Sequence, residues 1–444
     1  MSRARRRDFP ERFSFGVATS AYQIEGAHDA DGKEPSIWDV FCRKPGAVDD
    51  GSTGDVACDH YYRYSEDVER MASLGLDAYR FSISWPRVLR DSGTSVNGKG
   101  LDFYDRLVDA LLASGIRPFA TLYHWDLPQA LQERGGWTSP ETLDRFAELS
   151  RVVASRLGDR VRDWITVNEP EVSAFVGHAQ GRHAPGLRDT KLALRVAHQL
   201  LMAHRVSESA IRSNARAPRV GISLNLAPVH PASPSPEDAA ATRRVDGYFN
   251  RWYLDALTGR GYPTDLVEWY GDLLDPSAVA EMAGYPTELD FVGVNYYSRH
   301  VVQAADTGLL GSRDVRIPGA TYTTMGWEVY PEGLFEILER VTRDYHPRAI
   351  YVTENGASFE DHRENGSVAD PARIGYLSAH FSEAARAIKA GVPLEGYFIW
   401  SLMDNFEWSE GYTKRFGILY VDYKTQQRIT KESARWYRDF LAAR

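Results

Sequence analysis

Cysteine is nearly absent from this 444-residue chain: Cys42 and Cys58 are its two, and no CxxC pair occurs. Two thiols cannot build a disulfide framework, and neither a zinc knuckle nor a dithiol redox centre is expected. Both are expected to be ordinary buried, reduced thiols, which fits a cytoplasmic protein. Long apolar runs are missing as well, since none approaches the ~18 residues of a membrane span. The basic start, Met1-Ser-Arg-Ala-Arg-Arg-Arg7, is not followed by the apolar stretch of a secretory signal, so residues 1–8 read as a solvated tail. For the same reason Asn365-Gly366-Ser367 is a glycosylation sequon in form only. Positive charge is in deficit, 52 Lys and Arg against 61 Asp and Glu for a net charge of −9, which argues against nucleic acid or an anionic membrane as the partner. There is no internal repeat, and no Pro-, Gly- or Ser-rich linker that would divide the chain.

What is present is material for a large core, with 43% hydrophobic and 12% aromatic residues, too apolar for a disordered chain. Short apolar runs at 15–19, 78–85, 117–125, 163–170, 220–225, 290–297, 349–355 and 394–402 suit strands buried on both faces. Helix-period segments lie between them. Ser139-Pro140 reads as an N-cap with Pro in the first helical position, and Leu143, Phe146, Leu149, Val153 and Leu157 form one stripe ended by Gly158. Segments 64–74 and 101–114 read the same way, with Gly75 and Gly115 as stops. Eight strand–helix units predict an α/β fold, a single-domain (β/α)8 TIM barrel over residues 9–444. A doubly wound sheet is disfavoured, because no GxGxxG or GxxxxGK[ST] follows the first strand. The long segments 215–241 and 299–331 are expected as loops over the barrel mouth.

In such a barrel the side chains at the C-terminal strand ends converge on one pocket. Those ends supply Gln23, Arg80, His124, Trp125, Asn168, Glu169, Asn295, Tyr297, Glu354, Asn355, Trp400, Glu407 and Trp408. Indole faces stack on the C–H faces of a pyranose, and Gln, Asn, His and Glu read its hydroxyls. Two carboxylates flanking such a ring are the arrangement that cleaves a glycosidic bond. Taken one by one the residues have blander readings: Arg80 as a bridge between barrel carboxylates, and the indoles, above all Trp137 and Trp164, as core packing.

Seven stretches carry a resemblance to the family 1 glycoside hydrolases, the β-glucosidase group, across nearly the whole chain. They are FPERFSFGVATSAYQIEG (9–26), YRFSISW (79–85), LYHWDLP (122–128), TVNEP (166–170), NYYS (295–298), YVTENG (351–356) and NFEWSEGYTKRFG (405–417). The resemblance implies Glu354 as nucleophile and Glu169 as acid/base, with Arg80 and the Tyr297 hydroxyl holding Glu354 ionised. It implies Gln23, His124, Trp125, Asn168, Glu407 and Trp408 as ligands of the terminal sugar, Trp400 as the floor of that subsite, and Trp327 as the aromatic against the leaving group. Asn295 and Phe416 line the same pocket by analogy. No metal or cofactor is implied. In a retaining reaction the carboxyls are about 5–5.5 Å apart, where two charges repel by roughly 3 kcal/mol at an effective dielectric near 20, or about two pKa units. The pair is therefore expected to keep one proton, on Glu169.

The expected activity is a retaining, exo-acting β-glucosidase acting on cellobiose, short cello-oligosaccharides or aryl β-glucosides, with possible β-galactosidase or β-fucosidase side activity. The alternatives are a 6-phospho-β-glycosidase, a transglycosidase and a non-catalytic sugar-binding barrel. Glu407 favours an unphosphorylated sugar, because a carboxylate repels a 6-phosphate. One residue departs from the family pattern: Glu171 stands where an aromatic or apolar residue is common. It is expected to face outward in salt contact with an Arg, the other reading being a third carboxylate near the acid/base. Elsewhere, His198 and His204 are expected to be solvated or capping, and Asp29-Ala-Asp31-Gly32 to be a turn rather than a calcium loop.

Overall fold

In the computed structural model, which describes residues 4–91, 93–284 and 286–443, each of the eight apolar runs overlaps one strand. These are β1 (Ser14–Ala18), β2 (Ala78–Ser82), β3 (Arg117–Tyr123), β4 (Asp163–Asn168), β5 (Arg219–Asn225), β6 (Phe291–Asn295), β7 (Ile350–Asn355) and β8 (Leu394–Trp400). All pair in parallel, and the ring closes in the order β1-β8-β7-β6-β5-β4-β3-β2. Strands covered on both faces read as unbroken apolar runs, which is why alternation was not their signal. Most runs overshoot the C-terminal end because the aromatic and polar residues beyond the last ladder bond leave the sheet for the barrel mouth.

Inside the ring sits a separate apolar plug of Ala18, Ala78, Phe119, Ile165, Phe291, Tyr351, Phe398 and Trp400. Phe119 packs edge-on against Phe398, with ring centroids 4.8 Å apart, so the barrel is filled from below and the site rests on aromatic packing. Outside, the helix Pro140–Leu157 buries Phe146, Leu149, Val153 and Leu157 against the strands. Ser139 precedes it in extended conformation, but its side chain makes no capping bond. Gly158 is not in the left-handed conformation expected of a helix stop: its φ is −72°, and a Cβ there would lie 2.3 Å from the carbonyl oxygen of Ala154. The requirement is space. Gly75 and Gly115 do take positive φ just beyond their helices.

Several expectations are corrected. The segments 215–241 and 299–331 are not merely loops: Val229–Pro231, His300–Ala304 and Ser312–Asp314 form a three-stranded sheet beside the helix Pro236–Asp246. Strands of three to five residues among prolines and charges carry too little periodicity to show in sequence. The sheet still borders the barrel mouth as expected, since Val301 and Ser312 line the main cavity. In the basic N-terminal segment Arg6 is buried, donates to the carbonyls of Pro10 and Glu11, and lies over the Phe15 ring, so this part is not a solvated tail. His198 and His204 are buried on the helix Thr190–Asn214 rather than solvated, the first against Tyr262 and Glu281, the second bonded to Thr166. Asp31 lies in a tight turn and accepts bonds from Tyr61 and Lys99. Both cysteines are buried. Among the described residues no helix is long and apolar enough to cross a membrane.

A buried ionic cluster fastens the barrel mouth to the last helix, Glu432–Ala442. The Lys431 ammonium, fully buried, donates to Asp404 at 2.7 Å and also bonds Asp361; Arg415 reaches Asp404 at 2.6 Å and Arg373 reaches Asp361 at 3.1 Å. Asp404 stands at the start of the loop that carries Glu407 and Trp408. Substituting Lys431 with Met leaves this buried negative charge short of a partner and is expected to cost about 3–5 kcal/mol, read as a lowered thermal unfolding midpoint.

Candidate active site

Both strands that deliver a central carboxylate lose their regular register at the top. The β4–β5 ladder slips between Ile165 and Asn168, and the β7–β6 ladder between Val352 and Glu354. Such irregularities re-aim side chains at barrel rims. Immediately past the strands, Glu169 (φ 45°), Trp125 (φ 79°) and, in the last loop, Trp408 (φ 47°) adopt left-handed backbone. Non-glycine residues hold that conformation only where the surroundings over-determine it. Beside Glu354, Gly356 lets β7 and β8 approach, because a Cβ there would lie 1.7 Å from the Trp400 carbonyl oxygen.

Glu354 is gripped from two sides. Arg80 Nη1 donates to its Oε1 at 2.6 Å, and the Tyr297 hydroxyl donates to its Oε2 at 2.6 Å. Arg80 is itself fixed by the carbonyl of Thr353 and by Asn168 Oδ1, at 3.0 and 2.6 Å. The Asn295 amide donates to Asn168 Oδ1 at 3.0 Å and to Glu169 Oε1 at 2.7 Å, and also supports the charged form of Glu354. Asn168 Nδ2 donates to His124 Nε2 at 3.1 Å, and the Trp125 indole donates to the Asn168 carbonyl at 2.9 Å. His124 is held neutral by burial and by the Arg80 charge, and its Nδ1 is buried without a partner.

The two carboxyls differ sharply in environment. Burial pushes Glu169 well above the usual carboxylate range, and the charges of Glu354 and Glu171 push it further, with Asn295 and Arg80 opposing. Burial also raises Glu354, but Arg80 and Tyr297 counter it, so Glu354 ionises first and the shared proton rests on Glu169. Glu407 is pushed up to about 8 by burial and by Glu354 and Glu410, against one bond from Gln23. Glu171 does not face outward and touches no Arg. It is 5% exposed and accepts a short bond from the Tyr248 hydroxyl. Glu171 immediately precedes the helical segment Val172–Gln180 and lines the cavity.

A cavity of about 560 Å³ opens above the plug. Ten of the residues selected from sequence line it: His124, Trp125, Glu169, Tyr297, Trp327, Glu354, Trp400, Glu407, Trp408 and Phe416. Arg80, Asn168, Asn295 and Gln23 stand behind this lining and hold it. Gln23 donates to the Phe406 carbonyl at 2.8 Å and to Glu407 at 3.4 Å, setting the angle of the last loop. Trp327 packs beside Tyr297 and Phe416 at the rim. Asn355 turns away into the barrel wall, bonded to Tyr296 and Tyr376, and Trp137 and Trp164 are core residues. Sequence reading missed Asn225, Tyr248, His183 and His300, which also border the cavity. Asn225, as the last residue of β5, carried the same strand-end signal as the others; Tyr248 on a short helical segment, His300 on the inserted sheet and His183 in a loop stand away from the barrel strand ends and carried none. Among the described residues no cluster of three or more His, Cys, Asp or Glu is placed to hold a metal ion.

Comparison with known proteins agrees with this geometry. Over 436 residues the chain is 50% identical to beta-glucosidase A of Thermotoga maritima, covering 97% of this chain and 96% of the relative. It is 42% identical to a bifunctional beta-D-glucosidase/beta-D-fucosidase of Bifidobacterium breve, covering 98% of each. Among solved structures, the family 1 β-glucosidase from Thermotoga maritima superposes with a TM-score of 0.95 at 49% identity, over 98% of both chains. Its complex with glucoimidazole gives 0.94, also at 49% identity and 98% of both chains. The sequence profile of glycosyl hydrolase family 1 matches residues 5–444, and the chain belongs to that family of glycoside hydrolases.

Proposed function

We propose that this protein is a retaining, exo-acting β-glucosidase that removes terminal non-reducing β-D-glucosyl residues from cellobiose, short cello-oligosaccharides and aryl β-glucosides. The observation that carries the reading is the asymmetry of two buried carboxyls, Glu354 clamped by Arg80 and Tyr297 and Glu169 lacking any cationic partner. Family 1 membership and relatives named beta-glucosidase and 1,4-beta-D-glucan glucohydrolase support it.

In the first step a Glu354 oxygen attacks the anomeric carbon while Glu169 gives its proton to the departing glycosidic oxygen. The product is a glycosyl ester on Glu354, whose negative charge is then gone. Without that charge beside it Glu169 ionises more readily, and as a carboxylate it takes a proton from water, which attacks the anomeric carbon and regenerates Glu354. Arg80 and Tyr297 stabilise the nucleophile before attack and receive it again as the ester breaks. Asn168, His124, Trp125, Gln23, Glu407 and Trp408 are assigned to the terminal sugar, Trp400 to the floor beneath it, and Trp327 with Phe416 to the leaving-group side.

Glu407 bears on the choice of sugar. It is buried beside negative neighbours, with no Lys or Arg in ion pair with it, so a 6-phosphate would enter without a counter-charge. The unphosphorylated substrate is therefore preferred over the 6-phospho-β-glycosidase reading. A glucosidase/fucosidase among the relatives makes β-fucoside side activity part of the proposal. A cytoplasmic location is part of the proposal, and two buried, unpaired thiols are compatible with it.

Glu354→Gly is expected to reduce hydrolysis of p-nitrophenyl β-glucoside to background, and near-normal turnover would reject the nucleophile. Glu169→Ala should lose about 10²–10⁴-fold on cellobiose, which needs the acid, and much less on activated aryl glucosides. Azide should restore its turnover and give a β-glucosyl azide; an α-azide, seen by NMR, would contradict double displacement. Arg80→Met removes the charge that favours ionised Glu354, so that carboxyl's pKa rises. The acid limb of the kcat/KM profile is then expected at higher pH than in the wild type.

A further inference from the structure

Two carboxylates, not one, act on Glu169, and the second takes no part in bond-making. Glu171 follows two residues later and turns into the same cavity. It is 5% exposed and, among the described residues, in no ion pair with Lys or Arg; burial raises its own pKa, and the Tyr248 hydroxyl, which donates to it, and the Asn225 side chain at the top of β5 oppose that rise in favour of the carboxylate. Both partners are neutral donors, the kind that support a carboxylate without cancelling its charge.

The other titratable groups around it do not supply a compensating cation in contact. The Tyr253 and Tyr270 hydroxyls, from the helices Trp252–Leu257 and Thr264–Tyr270, are buried without partners; burial raises both, and the Glu171 charge adds to it. His300, on the inserted sheet, exerts a weak opposing influence, but its ring is bonded to Asp314 and stacked on Phe249. From the barrel, Glu169 and Glu354 face the same cavity; Arg182, Arg299, Arg313 and Arg316 also line it, none of them in ion pair with Glu171, and Arg299 is taken by Glu328.

We propose that Glu171 is a positioning residue for the proton of Glu169: a fixed carboxylate, held by Tyr248 and Asn225, whose charge keeps Glu169 protonated and sets the alkaline limit of activity. This rests on the reading of Glu169 as the acid. The two like charges near Glu169 differ in timing. Glu354 loses its charge when the glycosyl ester forms, whereas Glu171 keeps its own throughout. In the second step Glu171 therefore keeps Glu169 a stronger base than it would be alone.

The test is the pH dependence of kcat/KM on cellobiose, whose leaving group requires the proton. Glu171→Gln keeps the shape and removes the charge, and its basic limb is expected about one unit lower than in the wild type, with the acid limb in place. Tyr248→Phe removes a donor that favours the carboxylate, so Glu171 takes up a proton more readily and the basic limb moves the same way. Glu171→Asp, which restores a charge, should return the limb toward the wild-type position; a merely structural role would lower activity without moving it. A folded Glu171→Gln enzyme with an unmoved basic limb overturns the proposal, and should that variant not fold, an unmoved limb in Tyr248→Phe does the same. Glu169→Ala, run in parallel, separates the two levels. If it keeps the wild-type basic limb, the acid assignment fails; if it loses that limb while Glu171→Gln retains it, the role of Glu171 alone fails.

Discussion

The guanidinium of Arg80 is the one in ion pair with Glu354 among the described residues, and the arrangement of the two central carboxyls follows from where it points. It bonds Glu354 and Asn168 at once, so one carboxylate is stabilised and the amide next to the other is oriented by the same group. Glu169, denied that contact, becomes the place where a proton stays. Chemical asymmetry between two identical side chains thus comes from one donor fork set by β2. The apolar plug below is what makes this decisive, because in a wet cavity the differences would be screened.

The barrel was legible in the sequence because its strands are covered on both faces. Eight unbroken apolar runs, spaced by helix-period segments, leave few alternatives, and strand-end residues then follow by position. Features that depend on distant partners were not legible. Gly158 looks like a helix stop and is in fact a point of close packing against Ala154 and Ala215. Arg6 looks like one of several solvated charges, yet it meets carbonyls that only the folded chain gathers around it. The inserted sheet escaped notice because short, polar strands have no periodicity of their own.

In the site, the motif-bearing residues at strand tops lie where the pattern implied, and they divide into a lining and a supporting layer that sequence does not distinguish. Gln23 shows why: nothing in its position after β1 tells that its amide nitrogen also holds Asn405 and the chain at Phe406. Glu171 shows the converse. A charged residue following a strand end has a strong prior for solvent, and only its place in the cavity lining, together with a tyrosine more than seventy residues away, reverses it.

The closing of the ring by β1 against β8 has a consequence for synthesis. Ser14 pairs with Gly396, and the loop bearing Glu407 is clamped through Asp404 to Lys431. A ribosome-bound chain lacking its final strand and helix therefore holds an open, incompletely paired sheet with the sugar-facing wall absent. Until β8 pairs, β1 has no partner on that side, and the cavity lacks the wall that carries Glu407 and Trp408.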